Sequence, residues 1–239
     1  MTGSDGPLRG CFVTGTDTGV GKTVVAASIV ARLRGRGVAV RALKPLITGL
    51  DDPPDPVWPP DHELLARAAG ATPQETILAG YGPAVSPHLA AELAGTAPPS
   101  VAQLADGVRA AAAPADTLVV EGVGGLLVPL GPDGDVRDLA TALGLPLVIV
   151  ARPGLGTINH TLLTLEAARW AGLRVAAVVL TPWPRHPEAV LHSNRETIAR
   201  LGEIEVATLG RVAEPRPAAL AAAGATLPLA RWLSLPNLG

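Results

Sequence analysis

The feature that most constrains the fold is a glycine-rich segment at residues 15–23, with the sequence GTDTGVGKT. Apolar residues at 11–14 precede it and predict a buried strand, whereas residues 22–34 predict a helix. A glycine-rich turn between a strand and a helix directs backbone N–H groups and the positive helix end toward one point. Such a point binds phosphate groups, so the segment predicts a phosphate-binding loop.

The alternation of apolar runs and alanine- and leucine-rich segments continues along the chain. Further central strands are predicted at 38–43, 117–120, 147–151 and 175–180, and further helices at 101–112, 158–171 and 187–201. This order predicts a single α/β domain over residues 1–239, with a doubly wound, mostly parallel sheet and helices on both faces, of the P-loop NTPase type. We expect a loose tail at 1–9, a proline-rich loop at 51–60 and no regular pattern from Arg211 onward.

Composition excludes some classes of function. The formal net charge of -2 provides no basic field for nucleic acid or an anionic membrane. The apolar runs are far shorter than the ~20 residues that span a bilayer, and no secretory signal is visible. Cys11 is the single cysteine, so no internal disulfide can form and a cytoplasmic location is expected.

Within the loop, Lys22 is predicted to reach the terminal phosphates and Thr23 to place its hydroxyl on Mg²⁺. The glycines permit close approach of the backbone to the phosphates. Five residues separate Gly15 from the Gly-Lys-Thr end, one more than in the common pattern. The predicted nucleotide-binding residues of the loop are Gly19, Val20, Gly21, Lys22, Thr23 and Val24.

Three charged residues elsewhere are candidates for the same crevice. Glu121 follows the strand at 117–120 and precedes a glycine-rich turn, which favours a metal ligand over a solvated glutamate. Asp61 is either a second Mg²⁺ ligand or the N-cap of a helix that begins after two prolines. Lys44 ends the second strand, where it either neutralises a reacting anion or is an ordinary surface lysine.

Five signatures in order resemble those of dethiobiotin synthetases. They are Val13-Thr14-Gly15-Thr16-Asp17-Thr18 with Val20-Gly21-Lys22-Thr23, Lys44-Pro45 with Thr48-Gly49, Ser86-Pro87-His88, Glu121-Gly122 with Gly124-Gly125, and Gly156-Thr157-Ile158-Asn159-His160. The resemblance implies an ATP- and Mg²⁺-dependent ligase of biotin biosynthesis. This enzyme forms the ureido ring of dethiobiotin from 7,8-diaminononanoate and CO₂, through a carbamate and a carbamic-phosphoric mixed anhydride. It also implies a homodimer with each active site at the subunit interface.

The resemblance assigns roles to the matching positions of this chain. Lys22 and Lys44 would be catalytic, stabilising the γ-phosphate and the carbamate, and Thr23, Asp61 and Glu121 would hold Mg²⁺. Nucleotide contacts are also implied for Asp61, Glu121, Gly122, Val123 and Gly124. The implied substrate contacts are Thr18, Thr48 and Gly124, together with Gly156, Thr157, Ile158 and Asn159 offered by the facing subunit.

The segments that contact the base depart from the family pattern. Thr181-Pro182 stands where many relatives carry Asn-Asp, and a second base-contacting segment falls at Ala213, Glu214 and Pro215. Proline has no backbone N–H and threonine offers one hydroxyl, whereas an Asn-Asp pair offers both a donor and an acceptor. The hypothesis is that this chain binds adenine more weakly or less selectively than its relatives.

Two alternatives stay open at this point. One is another amide-forming ligase, such as the synthetase part of cobyrinic acid a,c-diamide synthase, whose chains usually carry a glutaminase domain with a nucleophilic cysteine. Cys11 is in the wrong place for that role. The other is a partition-type ATPase switch, which would want a lysine near the start of the loop, where this chain has Thr16 and Thr18.

Overall fold

A computed structural model describes residues 8–53, 55–112 and 117–233 of the chain. Its strands are β1 (Gly10–Gly15), β2 (Val40–Leu43), β3 (Leu46–Ile47), β4 (Ala79–Gly80), β5 (Thr117–Glu121), β6 (Pro129–Gly131), β7 (Gly134–Asp135), β8 (Leu147–Ala151), β9 (Val175–Trp183) and β10 (Val206–Gly210). Its α-helices are α1 (Lys22–Gly35), α2 (Asp61–Ala69), α3 (Pro87–Leu93), α4 (Val101–Ala112), α5 (Val136–Leu143), α6 (Thr157–Trp170), α7 (Ala189–Gly202), α8 (Pro217–Gly224) and α9 (Leu229–Trp232). A 3₁₀ turn lies at Pro73–Thr76.

Six strands form one parallel sheet in the order β10-β9-β8-β1-β5-β2. Helices α1, α2, α8 and α9 cover one face, and α4, α5, α6 and α7 cover the other. Side chains alternate across a strand, so Cys11 and Val13 of β1 pack on the first face while Phe12 packs on the second. The predicted doubly wound α/β fold is confirmed.

This topology places the candidate site. In a parallel sheet the carboxyl ends of all strands lie at one edge, and ligands bind where the strand order reverses. Here β1 is flanked by β5 and β8, and both follow it in sequence. The loops after β1, β2, β5, β8 and β9 therefore converge on one crevice.

The C-terminal region is more regular than the sequence pattern indicated. Strand β10 extends the sheet beyond β9, and α8 packs along α1. Alanine-rich α8 shows no alternation of apolar and polar residues, so periodicity does not reveal it. Its proline at the first helical position is a helix start signal, but the sequence analysis did not predict a helix from it.

The predicted N-terminal tail is too long by two residues. Leu8 packs against the core, and the carbonyl of Arg9 accepts a hydrogen bond from the Leu118 N–H at 2.8 Å. These contacts continue β1 backward along β5, whereas residues 1–7 lie outside the described residues.

The proline-rich segment 51–60 forms turns and bends where it is described, as expected. The Asp55 carboxylate accepts hydrogen bonds from the N–H groups of Val57 and Trp58, which fixes a local turn. Across the described ranges, no helix is both long enough and apolar enough to cross a bilayer.

Candidate active site

The phosphate-binding loop lies between β1 and α1, as predicted. Gly19 and Gly21 have φ angles of 69° and 97°, in the left-handed region that only glycine adopts readily. Gly21 is the N-cap of α1, so the free N–H groups of the first helical turn point into the loop. Lys22 is 6% exposed, and its ammonium donates to the Asp17 carbonyl at 2.9 Å. Burial lowers the pKa of Lys22, although the Glu121 carboxylate opposes that shift.

Beside the loop, Lys44 is held between two carboxylates. Its ammonium donates to Oδ2 of Asp61 at 2.5 Å and to Oε1 of Glu121 at 2.8 Å. The Thr23 hydroxyl donates to the same Glu121 oxygen at 2.8 Å. Residues of α1, α2 and β5 thus meet the residue that directly follows β2 at one point, although up to 98 positions separate them along the chain.

Burial opposes the charged form of each member of this cluster. It prevails at Glu121, which is fully buried and has a raised pKa in spite of Lys44. At Lys44 the carboxylates of Glu121 and Asp61 outweigh burial and hold the pKa above its ordinary value. At Asp61 the Lys44 ammonium likewise outweighs burial, so the pKa is lowered. Lys44 is therefore a buried, charged cation rather than a surface lysine.

Asp61 was a candidate for two roles, and one of them is wrong. Asp61 is the first residue of α2, and Pro60 occupies the N-cap position without any side-chain cap. The Asp61 carboxylate points instead to Lys44, with 47% of the side chain exposed. It is therefore available to the crevice.

The oxygen atoms here suit a magnesium ion. Oε2 of Glu121 is buried and has no hydrogen-bond partner among the described residues, and the Asp61 carboxylate and Thr23 hydroxyl lie nearby. No group of three or more His, Cys, Asp or Glu side chains within the described ranges could hold a metal. Magnesium usually takes only one or two protein carboxylates and completes its shell with water and phosphate oxygens, so this donor set fits.

The glycine turn after β5 lies against the start of the phosphate-binding loop. The Gly122 N–H donates to the Val13 carbonyl at 2.9 Å, and Gly124 has a φ of 62°. A Cβ atom on Gly125 would lie 3.4 Å from the Gly15 carbonyl oxygen. The turn, which includes the half-buried Val123, therefore forms a second wall of the crevice.

Residues 152–156 connect β8 to α6 at the same edge of the sheet. The N-cap of α6, Gly156, has a φ of 87°, and Asn159 in the first turn is exposed. Thr157 is buried, with its hydroxyl 3.4 Å from that of Thr161, and Ile158 packs against the core. Of the other predicted substrate contacts, Thr18 is exposed in the phosphate-binding loop and Thr48 is half-buried after β3.

A contact that the sequence did not predict joins the phosphate-binding loop to the segment 152–156. The Arg152 guanidinium donates to Oδ2 of Asp17 at 3.0 Å, and Oδ1 of Asp17 accepts from the Thr18 N–H at 2.7 Å. The Thr16 N–H also donates to the Val150 carbonyl in β8. A basic residue directly after a central strand was the available signal, since strand ends line this crevice.

A second missed signal concerns the lysines. The chain has only two lysines, Lys22 and Lys44, among 19 basic residues, and both are buried at this site. Arginine serves every other basic position. Such a distribution favours a requirement for the compact ammonium group at these two positions.

The predicted base-contacting residues lie at the end of β9, which includes Thr181 and Pro182, and after β10, at Ala213, Glu214 and Pro215. Thr181 is buried against the loop, and a Cβ atom on Gly21 would lie 2.9 Å from Cγ2 of Thr181. Pro182 and Ala213 are exposed, and Pro215 is half-buried. The Glu214 carboxylate already pairs with Arg216 at 2.5 Å. The two segments flank one end of the crevice without an unpaired carboxylate or amide side chain among the five predicted residues.

The sequence of the chain is similar to those of known proteins. A family model described as an AAA domain matches residues 9–216. The chain is 45% identical over 193 residues to the ATP-dependent dethiobiotin synthetase BioD of Mycobacterium avium (strain 104), covering 80% of this chain and 83% of that protein. It is 40% identical over 225 residues to the protein of the same name from Mycobacterium sp. (strain KMS), covering 93% and 96%.

Solved structures show the fold alone. The cell division ATPase MinD of Pyrococcus furiosus superposes with a TM-score of 0.54 at 17% identity, covering 95% of this chain and 99% of that chain. Chloroplast FtsY from Physcomitrella patens gives a TM-score of 0.53 at 16% identity, covering 94% and 67%.

Proposed function

The chain belongs to the AAA-domain family that its sequence matches and, within it, to the ATP-dependent dethiobiotin synthetases. From this premise we propose that it is a ligase of biotin biosynthesis that closes the ureido ring of dethiobiotin from 7,8-diaminononanoate, CO₂ and ATP. The observation that carries the proposal is the buried ammonium of Lys44, held between Glu121 and Asp61 beside a phosphate-binding loop. A fixed cation at this position suits a reaction in which an anion forms next to a triphosphate.

The chemistry proceeds in three steps. One substrate amine adds to CO₂ and loses a proton, which gives a carbamate. A carbamate oxygen attacks the γ-phosphorus, the bond to the β-phosphate oxygen breaks, and ADP leaves. The second amine then attacks the carbonyl carbon of the mixed anhydride, loses a proton and expels inorganic phosphate. Each step gathers negative charge at one place, so neutralisation and positioning supply most of the catalysis.

The two lysines share this neutralisation. Lys22 begins α1 and is within the loop that receives the phosphates, so its ammonium acts on the γ-phosphate. Lys44 directly follows β2, donates to the Glu121 carboxylate and would act on the carbamate. Because both ammonium groups are already buried and hydrogen-bonded, little reorganisation is needed when the anions form.

Thr23, Asp61 and Glu121 would hold Mg²⁺ in the working enzyme. The strongest indication is Oε2 of Glu121, which is buried and lacks a hydrogen-bond partner within the part of the chain that the structure describes. The ion supplies charge neutralisation to the phosphates. Thr23 and Lys44 both donate to Oε1 of Glu121, and these hydrogen bonds would orient the carboxylate for the ion.

The diamine end of the substrate would contact Thr18, Thr48 and Gly124 near the loop. Its carboxylate would be received by the N-terminus of α6 from a second subunit, at Gly156, Thr157, Ile158 and Asn159. Helix N-termini bind anions through free N–H groups and the helix dipole. Exposed apolar side chains along α6 and its entry, Leu155 at 101% and Trp170 at 86%, support a subunit interface on this side. We infer a cytoplasmic homodimer.

A direct assay tests the proposal. The purified chain is incubated with 7,8-diaminononanoate, ¹³C-bicarbonate and Mg-ATP, and the products are measured by mass spectrometry. We expect dethiobiotin with one heavy carbon and an equal amount of ADP, and neither product without the diamine. A folded protein that hydrolyses ATP without forming labelled dethiobiotin would contradict the proposal and would favour a nucleotide switch.

A further inference from the structure

Helix α7 carries a buried polar residue at an unexpected position. The buried side of this helix consists of Asn194, Ile198 and Gly202, spaced four residues apart as in an apolar stripe. Asn194 is only 7% exposed. Burying an amide costs free energy unless hydrogen bonds replace those to water, so a partner is required.

The partners of Asn194 lie in the loop between β8 and α6. Its Nδ2 donates to the Pro153 carbonyl at 3.0 Å and to the Gly154 carbonyl at 3.4 Å. These carbonyls are about 40 residues away in sequence and belong to a segment without helix or strand. The amide thus connects the loop between β8 and α6, at the mouth of the candidate site, to helix α7, which packs on one face of the sheet.

The anchored loop determines how α6 begins. The Gly154 carbonyl also accepts from the N–H of Thr157, the first helical residue, at 3.2 Å. Between them, Gly156 adopts a left-handed conformation with a φ of 87°, which glycine reaches without steric cost. The orientation of the first N–H groups of α6 therefore depends on where Pro153 and Gly154 are held.

We propose that Asn194 is a positioning residue for the substrate carboxylate, acting through the Pro153–Gly154 carbonyls on the first turn of α6. The inference rests on the proposed function, because it needs a substrate carboxylate at that helix end. In this role Asn194 acts through the loop rather than by contact with substrate or nucleotide.

A purely structural Asn194 would make a different prediction. Loss of its hydrogen bonds would lower the stability of the fold. The binding of every substrate would then weaken to a similar extent. A positioning residue affects the substrate that carries a carboxylate and spares ATP. The comparison of two substrates therefore separates the two roles.

The informative variant is Asn194→Asp, which keeps the shape but sets a carboxylate oxygen against the two carbonyls. Asn194→Ala removes the donors without adding charge, in case the aspartate variant does not fold. Ser193→Ala, at an exposed position of the same helix, is the matched control. Activity on 7,8-diaminononanoate is compared with that on 2,3-diaminononane, in which a methyl group replaces the carboxylate.

For the natural substrate we expect KM to rise about tenfold in either Asn194 variant, with KM for ATP within about twofold of the parent. With 2,3-diaminononane we expect the parent and the variants to have equally low activity. Hydrogen-exchange mass spectrometry should show faster exchange in a peptide covering the start of α6, with the phosphate-binding loop unchanged.

Equal losses of activity on both diamines would overturn the inference while leaving the proposed function intact. So would an unchanged KM for 7,8-diaminononanoate, or unchanged hydrogen exchange at the start of α6. If the parent makes no cyclic urea from either diamine, the proposed function itself fails and the inference falls with it. The Ser193→Ala control must match the parent in all four measurements, which are KM for 7,8-diaminononanoate, KM for ATP, activity on 2,3-diaminononane and hydrogen exchange.

Discussion

At the scale of single residues, the strongest expectation concerns Lys44. Replacing it by glutamine removes the cation that lies between Glu121 and Asp61 but keeps a polar group of similar length. We expect Lys44→Gln to lower kcat by about 100-fold or more, since a single charged donor that acts on a developing anion has an effect of that size. Nucleotide affinity, measured by calorimetry, should change by less than about threefold because Lys22 and the loop remain.

The matched control for this variant is Arg174→Gln, an exposed cation at the amino end of β9. It should turn over like the parent. Normal turnover by Lys44→Gln would show that the buried ammonium has no catalytic role. A folded Lys44→Gln protein that binds no nucleotide would place Lys44 in nucleotide binding instead.

The predicted base-contacting residues lead to a second expectation at this scale. Thr181 is buried against Gly21, Pro182 has no N–H, and Glu214 is paired with Arg216. In this group only the Thr181 hydroxyl can both donate and accept a hydrogen bond, and Thr181 is buried. We therefore expect KM values for ATP, GTP and CTP within about tenfold of one another. A strong preference for ATP with a low micromolar KM would refute this.

The lone cysteine gives a pH-dependent expectation. Burial raises the pKa of the Cys11 thiol from 9.0 to about 12. The neutral thiol is favoured in the fold, so its contribution to stability is complete below pH 9 and declines as pH rises toward 12. At pH 9 iodoacetamide should therefore leave Cys11 unmodified in the native protein and alkylate it in guanidinium chloride, as read by mass spectrometry. Rapid alkylation of the native protein would show that the thiol is accessible.

At the scale of elements, the packing of α8 on α1 is the least expected feature from sequence. A Cβ atom on Gly224 would lie 2.2 Å from the Ser28 carbonyl oxygen and 2.9 Å from Cβ of Arg32. Gly224→Ala must therefore separate the two helices, and we expect it to lower the free energy of unfolding by about 1–3 kcal/mol. Urea denaturation measures this change.

Gly35→Ala is the control for that variant, because a Cβ atom there would meet no atom of the described residues within 4 Å and the residue also lies in α1. It should be neutral or slightly stabilising, as alanine is a better helix former than glycine. If both variants have the same stability, α8 does not pack closely in solution. Neither change should alter KM for ATP, because both glycines lie away from the phosphate-binding loop.

The elements that the sequence predicted well are those with strong local signals. The phosphate-binding loop, β5 and β8 combine apolar runs with glycines and were placed within one or two residues. The alanine-rich helix α8 and the edge strand β10 lack a clear period, and only tertiary packing defines them. Likewise, the roles considered for Asp61 could not be separated without knowing that Lys44 lies 2.5 Å away.

At the scale of the whole molecule, the family resemblance indicated which residues belong to the candidate site, and the geometry of the fold shows which of them lie together. The motifs near Lys22, Lys44 and Glu121 are local, yet the cluster forms only because β1, β2 and β5 are neighbours in the sheet. Asn194 and Arg152 escaped sequence analysis because their partners are about 40 and 135 residues away. Long-range polar contacts of this kind leave no periodic trace in the sequence.

Dimerisation is the expectation that belongs to this scale. Size-exclusion chromatography with light scattering should give twice the 24.2 kDa mass of the chain. Leu155→Arg puts a charge at the fully exposed leucine before α6, where a second subunit would cover it, and burying an unpaired charge is strongly unfavourable. We expect this variant to be monomeric and to lose ureido-ring formation while it still binds ATP. Leu93→Arg, at an exposed leucine of α3, should stay dimeric and active. A monomeric parent with full activity would rule out an active site shared between subunits.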